Sequence, residues 1–237
     1  MGMAELLAKW SKRAILGLAG LGLAVGLSGG VASAQDKMEV FGGYSYGTNG
    51  ISTYCDYGCT TGLHGYATGF AYNFNPYLGM EGAFTGHSGS NTVYSELPTT
   101  NNTGENETQS QALYVYTFGP RLTLATRDFS LYTHLLVGGI HTSGNYADNC
   151  IPATGSSGCW SDETGTYSGS GFAVRVGGGV NWRHGAWGIR ILGLDYVHGS
   201  VPIERTSNLY GTYNYPSSGS AFEMVTGVTF NFGHIGE

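Results

Sequence analysis

Hydrophobic and polar residues alternate with a period of two along eight segments of the chain. In the second segment the large residues Tyr66, Phe70 and Tyr72 share one face, while glycine and alanine occupy the other. Alternation with this period is typical of β-strands whose two faces have different surroundings. The pattern predicts strands over residues 37–46, 63–74, 77–87, 111–124, 129–140, 172–180, 186–198 and 221–232.

The connections between these segments are alternately short and long. The short ones lie near residues 75–77, 125–128 and 181–185. The long ones, rich in Gly, Ser, Thr and Asn, are 47–62, 88–110, 141–171 and 199–220. This alternation is typical of barrels that cross an outer membrane, with the short turns on the periplasmic side. We therefore predict an all-β fold: an eight-stranded antiparallel transmembrane β-barrel with short periplasmic turns and long extracellular loops.

The distribution of large and small residues favours a membrane barrel over a soluble one. A soluble eight-stranded barrel, such as a lipocalin, or a sandwich would bury its apolar faces and turn its charges outward. Here the apolar faces carry the bulky aromatic residues, and the polar faces carry Gly, Ala, Thr and a few charges, as a narrow barrel interior requires. Charged residues make up 11% of the chain, against about a quarter in soluble domains. Lipid is therefore expected around the strands.

The first residues have the three-part layout of a secretory signal peptide. A basic start precedes an apolar run over residues 14–27, and a triplet of small residues at 32–34 follows as a cleavage site. A retained membrane helix is the alternative, but the run is short for a span of about 20 apolar residues. We predict a signal peptide over residues 1–34 and an outer-membrane β-barrel domain over 35–237.

Four short motifs resemble those of the OmpA-like outer-membrane β-barrel domain family: VFGGYSY at 40–46, AYNFNPYLG at 71–79, FGPR at 118–121 and FNFG at 230–233. The resemblance covers nearly all of the predicted mature chain. It implies a barrel exported to the bacterial outer membrane, with a structural role in the cell envelope. OmpA itself carries a further peptidoglycan-binding domain, whereas this sequence stops soon after its last predicted strand. Peptidoglycan anchoring is therefore not expected.

Charged residues occur on the inward faces of the predicted strands. Isolated charges in a membrane are costly, so these residues are expected to pair across the lumen. A structural plug is the interpretation we favour, because eight strands leave no open channel. A gated ion path is the alternative. The predicted lumen charge network consists of Glu39, Glu81, Arg121, His134, Arg175, Asp195 and Glu223. The alternation places Arg190 on the lipid side, unless a β-bulge shifts the register.

The four cysteines form two pairs that are close in sequence, Cys55 with Cys59 and Cys150 with Cys159. Because an exported chain meets an oxidising compartment, two local disulfides are expected. A four-cysteine zinc site is the alternative, but neither pair has the two-residue spacing of a zinc knuckle.

Histidines at the predicted outer ends of the strands raise the question of a metal or catalytic site. His64, His141 and His198 are predicted to point outward and His87 inward, so the four do not converge on a metal. His141 and Ser143 resemble the His-x-Ser arrangement of outer-membrane lipid A deacylases. No carboxylate stands at a spacing that would orient the histidine. The sequence therefore predicts no catalytic residue, metal or cofactor.

The long loops carry eight acidic residues and a single basic one, Arg205. An acidic exterior disfavours nucleic acid and heparin-like partners. It could contact lipopolysaccharide through divalent cations, or it could simply be solvated. We predict a monomeric, non-enzymatic structural protein that contacts outer-membrane lipid and lipopolysaccharide and displays its loops. A lipid-modifying enzyme and a narrow, porin-like pore are the alternatives, and an extracellular ligand of the loops is left open.

Overall fold

The computed structural model describes residues 36–48, 62–96, 104–151 and 163–235. Within them eight antiparallel strands pair in chain order, and the last pairs with the first to close a barrel. This confirms the predicted fold class. The strands are β1 Asp36–Thr48, β2 Gly62–Asn73, β3 Leu78–Glu96, β4 Gly104–Ala125, β5 Phe129–Ile151, β6 Glu163–His184, β7 Trp187–Ser207 and β8 Gly211–His234. No described helix has the length and apolar character needed to cross a membrane.

The two faces of each strand have the predicted orientation. On β2, Tyr66 and Phe70 are each 52% exposed, while Ala67 and Ala71 are buried in the interior. The outward aromatic residues form two belts, one near each end of the apolar band. One belt includes Phe74, Tyr77, Phe129, Trp187 and Phe232, and the other includes Tyr44, Tyr66, Tyr116, Phe172 and Phe222. Such belts are typical of the two interfaces of a membrane.

Three tight turns join the strands at one end of the barrel, here called the turn end. In the first, the Asn75 side chain accepts hydrogen bonds at 2.9 Å from the backbone amides of Tyr77 and Leu78. In the third, Gly185 has a φ of 62°, which glycine adopts without steric cost. The turns agree with the short connections predicted from the sequence.

At the opposite end, the loop end, the strands are much longer than predicted. The predicted loop over 199–220 is instead a hairpin, in which β7 and β8 continue to Ser207 and from Gly211. The predicted loops over 88–110 and 141–171 are also strand in large part, and β3 to β6 continue there. Their Ser- and Thr-rich composition suggested loops, because the outward face loses its apolar residues once it leaves the membrane. The inward face keeps the strand pattern.

The barrel closes between β1 and β8, and two glycines pair at one point of this seam. Gly43 pairs with Gly227, and a Cβ atom on Gly43 would lie 2.1 Å from the carbonyl oxygen of Thr226. Only glycine therefore fits there without a shift of the backbone. Closure pairs the last strand with the first and leaves no open edge of the sheet, as hydrocarbon surroundings require.

Candidate functional site

All seven residues of the predicted lumen network have buried side chains inside the barrel. Nearest the turn end, Glu39 of β1 lies between two arginines from other strands. Both terminal nitrogens of Arg121 donate to the Glu39 carboxylate at 3.1 Å. Arg190 donates to the same carboxylate at 3.0 Å, and the Asn181 amide donates at 3.2 Å. A single carboxylate is thus surrounded by four donated hydrogen bonds.

The predicted lipid-facing orientation of Arg190 is wrong. The register of β7 against β8 shifts between Arg190 and Gly193, so Ile191 and Leu192 both lie on the exposed side. This is the β-bulge considered as the alternative, and it turns the arginine into the lumen. There the guanidinium lies 4.0 Å above the ring of Phe41 and 4.5 Å from that of Tyr132, in addition to its bond to Glu39.

A histidine between two carboxylates forms the middle of the network. Glu81 lies 3.7 Å from Arg121, and its carboxylate is 3.0 Å from Nδ1 of His134. Nε2 of His134 is 3.1 Å from Asp195. An imidazole with a proton on each nitrogen can donate to both carboxylates. The histidine therefore connects the carboxylate of Glu81, which contacts Arg121, with that of Asp195, which contacts Arg175.

The network continues toward the loop end through Arg175. Its guanidinium lies 3.9 Å from Asp195 and donates to Glu223 at 2.9 Å and to Thr85 at 2.7 Å. His87 follows, 3.7 Å from Glu223, and its Nε2 is 2.8 Å from the Ser45 hydroxyl. An unbroken chain of polar contacts therefore runs from Arg190 to Ser45.

The charges of the side chains in the lumen network nearly cancel. Four carboxylates, those of Glu39, Glu81, Asp195 and Glu223, face three guanidinium groups. A proton on both nitrogens of His134 makes the total zero. Sequence reasoning omitted Arg190, Asn181, His87, Thr85 and Ser45 from the network. Strand parity could have found Thr85 and Ser45, which are polar residues on inward faces.

A layer of mainly apolar side chains, here called the apolar layer, lies in the lumen above the network, with the hydrogen-bonded pair of Gln111 and Thr142 beside it. Its members are all buried and come from six of the eight strands, all but β1 and β3. On β7 the inward residues change from charged to apolar after Asp195. Val197, Val201 and Ile203 follow it, and Arg205 is the next charged residue on the inward face. The layer consists of Leu63, Leu113, Val115, Ile140, Ala173, Val197, Val201, Ile203 and Ala221, with Tyr146 and Tyr167 at its outer side.

Beyond the apolar layer, Arg205 is buried near the loop end. Its guanidinium lies 3.3 Å from Glu163 and 3.8 Å above the ring of Tyr146. It is the sole Lys or Arg of the sequence within the predicted loop regions. The outer part of the molecule therefore carries its one basic side chain inside the barrel wall.

The histidines at the loop end keep their predicted parities. His87 is buried inside, while His64 and His198 are exposed outside. His141 accepts or donates a hydrogen bond at 2.8 Å with Ser170 of β6, so its serine partner is a different one from the Ser143 suggested by sequence. Within the described residues, no group of three His, Cys, Asp or Glu side chains could hold a metal.

Other predictions fall outside the described residues. They include the signal peptide, Cys55, Cys59 and Cys159, and the side chain of Cys150. The two disulfides and the cleavage site therefore stay predictions.

With the barrel and its filled lumen in place, the chain can be compared with known proteins. A model of the outer membrane protein beta-barrel domain family matches residues 19–233. The chain belongs to that family. An outer-membrane β-barrel has its short turns in the periplasm and its longer connections outside the cell. The loop end of this outer-membrane barrel therefore faces the outside of the cell. A comparison of the chain with the curated proteins found no match.

Two solved outer-membrane proteins are similar in structure. Ail, the attachment invasion locus protein of Yersinia pestis, is 16% identical, with a TM-score of 0.43 over 83% of this chain and 99% of its own. The same values hold for a crystal structure of Ail in complex with the heparin analogue sucrose octasulfate. Neisserial surface protein A is 12% identical, with a TM-score of 0.38 over 84% of this chain and 99% of its own.

Proposed function

We propose that this outer-membrane barrel is a non-enzymatic structural protein, which contributes to envelope integrity while its lumen stays closed. The observation that carries the proposal is the unbroken polar network from Arg190 to Ser45, overlaid by the apolar layer. Together they occupy successive levels of a barrel that is only eight strands wide. The network fixes the register of the strands from inside, and the apolar layer opposes the passage of ions.

A structural role also explains why so many charges are retained inside a membrane. Buried ion pairs add little net stability compared with apolar residues of similar volume, but they are costly to break once present. Each member here contacts residues from other strands, such as Glu39 with Arg121 and Arg190. A strand inserted in a wrong register would separate these partners. We infer that the network selects one arrangement of the eight strands.

The outer surface is proposed to present acidic segments to the surroundings. The sequence places eight carboxylates in the predicted loop regions, and the one arginine there is bonded to Glu163. The ligand in the Ail complex is a polyanion, which this surface would repel. A cationic ligand, or divalent cations shared with lipopolysaccharide, fits the charge better. The two proposed disulfides would stiffen the segments that contain them.

Deletion of the gene tests the structural role. We expect the deletion strain to take up more of a hydrophobic dye that the intact outer membrane excludes, and plasmid-borne wild-type protein should restore exclusion. Unchanged dye uptake would contradict the proposal. The lipid A profile in mass spectra should stay the same on overexpression, whereas a changed profile would favour a lipid-modifying enzyme.

A further inference from the structure

The regions at the loop end of the barrel contain a single basic residue. Residues 47–62, 88–110, 141–171 and 199–220 include eight carboxylates, and Arg205 is their one lysine or arginine. The other lysines and arginines of the predicted mature chain belong to the lumen network or lie at the turn end: Arg121, Arg175, Arg190, Lys37, Arg127 and Arg183. An enzyme that recognises a basic side chain from outside the cell therefore meets one candidate, Arg205.

The side chain of Arg205 is held on the inner face of β7, where the residue is only 2% exposed. Its guanidinium lies 3.3 Å from the carboxylate of Glu163 and 3.8 Å above the ring of Tyr146. The hydroxyl of Tyr146 donates to the same carboxylate at 3.0 Å. Each of the three side chains therefore contacts the other two. They are here called the Arg205 cluster.

The backbone around Arg205 is also held on both sides. Arg205 pairs with Tyr167 of β6 and with Tyr213 of β8, so β7 is an inner strand of the sheet at this point. The hydroxyl group of the next residue, Thr206, is 3.1 Å from that of Thr212 across the hairpin. The peptide bond between Arg205 and Thr206 therefore lies between two paired strands.

The turn that joins β7 to β8 is fastened to β6. The backbone amide of Asn208 donates to the carbonyl of Thr164 at 3.0 Å, and the Asn208 side chain accepts from the amide of Thr164 at 3.0 Å. The hydroxyl of Ser207 accepts from the amides of Leu209 and Tyr210 at 3.1 and 3.3 Å. These bonds oppose local opening of the hairpin from its tip.

These contacts bear on one class of enzyme, the trypsin-like proteases. Such a protease binds the basic side chain that precedes the scissile bond in a pocket that carries an aspartate. Folded proteins are cut at exposed loops, or at segments that open transiently. Before the bond after Arg205 could be cut, the arginine would have to leave Glu163 and Tyr146, and β7 would have to separate from its neighbours.

We propose that the outer part of this protein is refractory to trypsin-like proteases, because its one basic residue is buried in the Arg205 cluster. The connecting segments outside the described residues, 49–61, 97–103 and 152–162, contain no lysine or arginine either. The proposal goes beyond the structural role in the envelope, and it does not depend on a closed lumen.

The test treats intact cells that express the protein with purified trypsin. The outer membrane keeps the protease away from the turn end, and mass spectrometry detects the fragment 206–237 that cleavage after Arg205 would release. We expect the wild type to stay intact under conditions that completely cut the variant Asn102→Arg. This variant places an arginine in the connection between β3 and β4, and polar connections are preferred sites of proteolysis.

A double variant tests the Arg205 cluster itself. Tyr146→Ala, Glu163→Ala removes both partners of the guanidinium, and cleavage after Arg205 should become at least tenfold faster than in the wild type. The matched control Glu204→Ala, Tyr210→Ala removes a carboxylate and a tyrosine from exposed positions of the β7–β8 hairpin, and it should resist trypsin like the wild type. A heat-dependent shift in gel mobility shows that each variant is folded.

Three results would each overturn the proposal. The first is cleavage of the wild type after Arg205 as fast as cleavage of Asn102→Arg. The second is an intact Asn102→Arg variant, since resistance would then not depend on the burial of basic residues. The third is a Tyr146→Ala, Glu163→Ala variant that is cut no faster than its matched control.

Discussion

Replacing Glu39 with alanine is expected to lower the free energy of unfolding by about 3–5 kcal/mol. The substitution leaves Arg190 without its carboxylate and Arg121 with the more distant Glu81, while both guanidiniums stay buried. Removing one partner of a buried ion pair lowers the stability of the fold by more than the intact pair adds to it, because the remaining charge is buried without a counter-charge. Urea unfolding of the refolded barrel in lipid vesicles, followed by tryptophan fluorescence, measures the change.

An exposed carboxylate provides the control for this substitution. Glu204 points outward from β7 and takes no part in the network, so Glu204→Ala should change stability by less than about 0.5 kcal/mol. If Glu39→Ala cost no more than Glu204→Ala, the ionic network would not hold the barrel together.

The second large effect is expected from a charge on the lipid side of β5. Leu135 is 50% exposed and lies midway between Phe129 and His141, whereas the next residue, Leu136, is fully buried in the lumen. Leu135→Arg should cost about 2–4 kcal/mol, as a charge near the bilayer centre does on other barrels. Unfolding from lipid vesicles measures this cost.

The alanine variants of the two leucines complete the comparison. Leu136→Ala should cost about 2–5 kcal/mol, since it leaves a cavity in the packed interior. Leu135→Ala should cost much less, because lipid fills the space. A neutral Leu135→Arg would mean that water, not lipid, surrounds this face.

Period-two alternation predicted the eight strands and the orientation of their faces, because lipid and lumen impose opposite demands on neighbouring residues. The same pattern failed at Arg190, where two consecutive apolar residues, Ile191 and Leu192, lie on the outside. A bulge adds one residue to one strand, and a sequence does not reveal which strand carries it. The outer extensions of β3 to β8 were also missed, since water surrounds them and the apolar signal disappears from their outer faces.

The sequence indicated which charged residues lie inside but not which of them touch. Glu39 and Arg190 are 151 positions apart in the chain, and their contact depends on the stagger of all strands between them. The partner of His141 illustrates the same point. Ser143 is its neighbour along β5, yet Ser170 of β6 pairs with it across the sheet.

Ion conductance of the pure, folded protein in a planar lipid bilayer tests the closed lumen most directly. The network from Arg190 to Ser45 and the apolar layer beyond it predict no steady conductance above that of the bare bilayer. Heat-denatured protein serves as the control for leakage caused by added material. Stepwise, lasting currents that increase with the amount of folded protein, and that the denatured sample lacks, would contradict a plugged barrel and establish a pore.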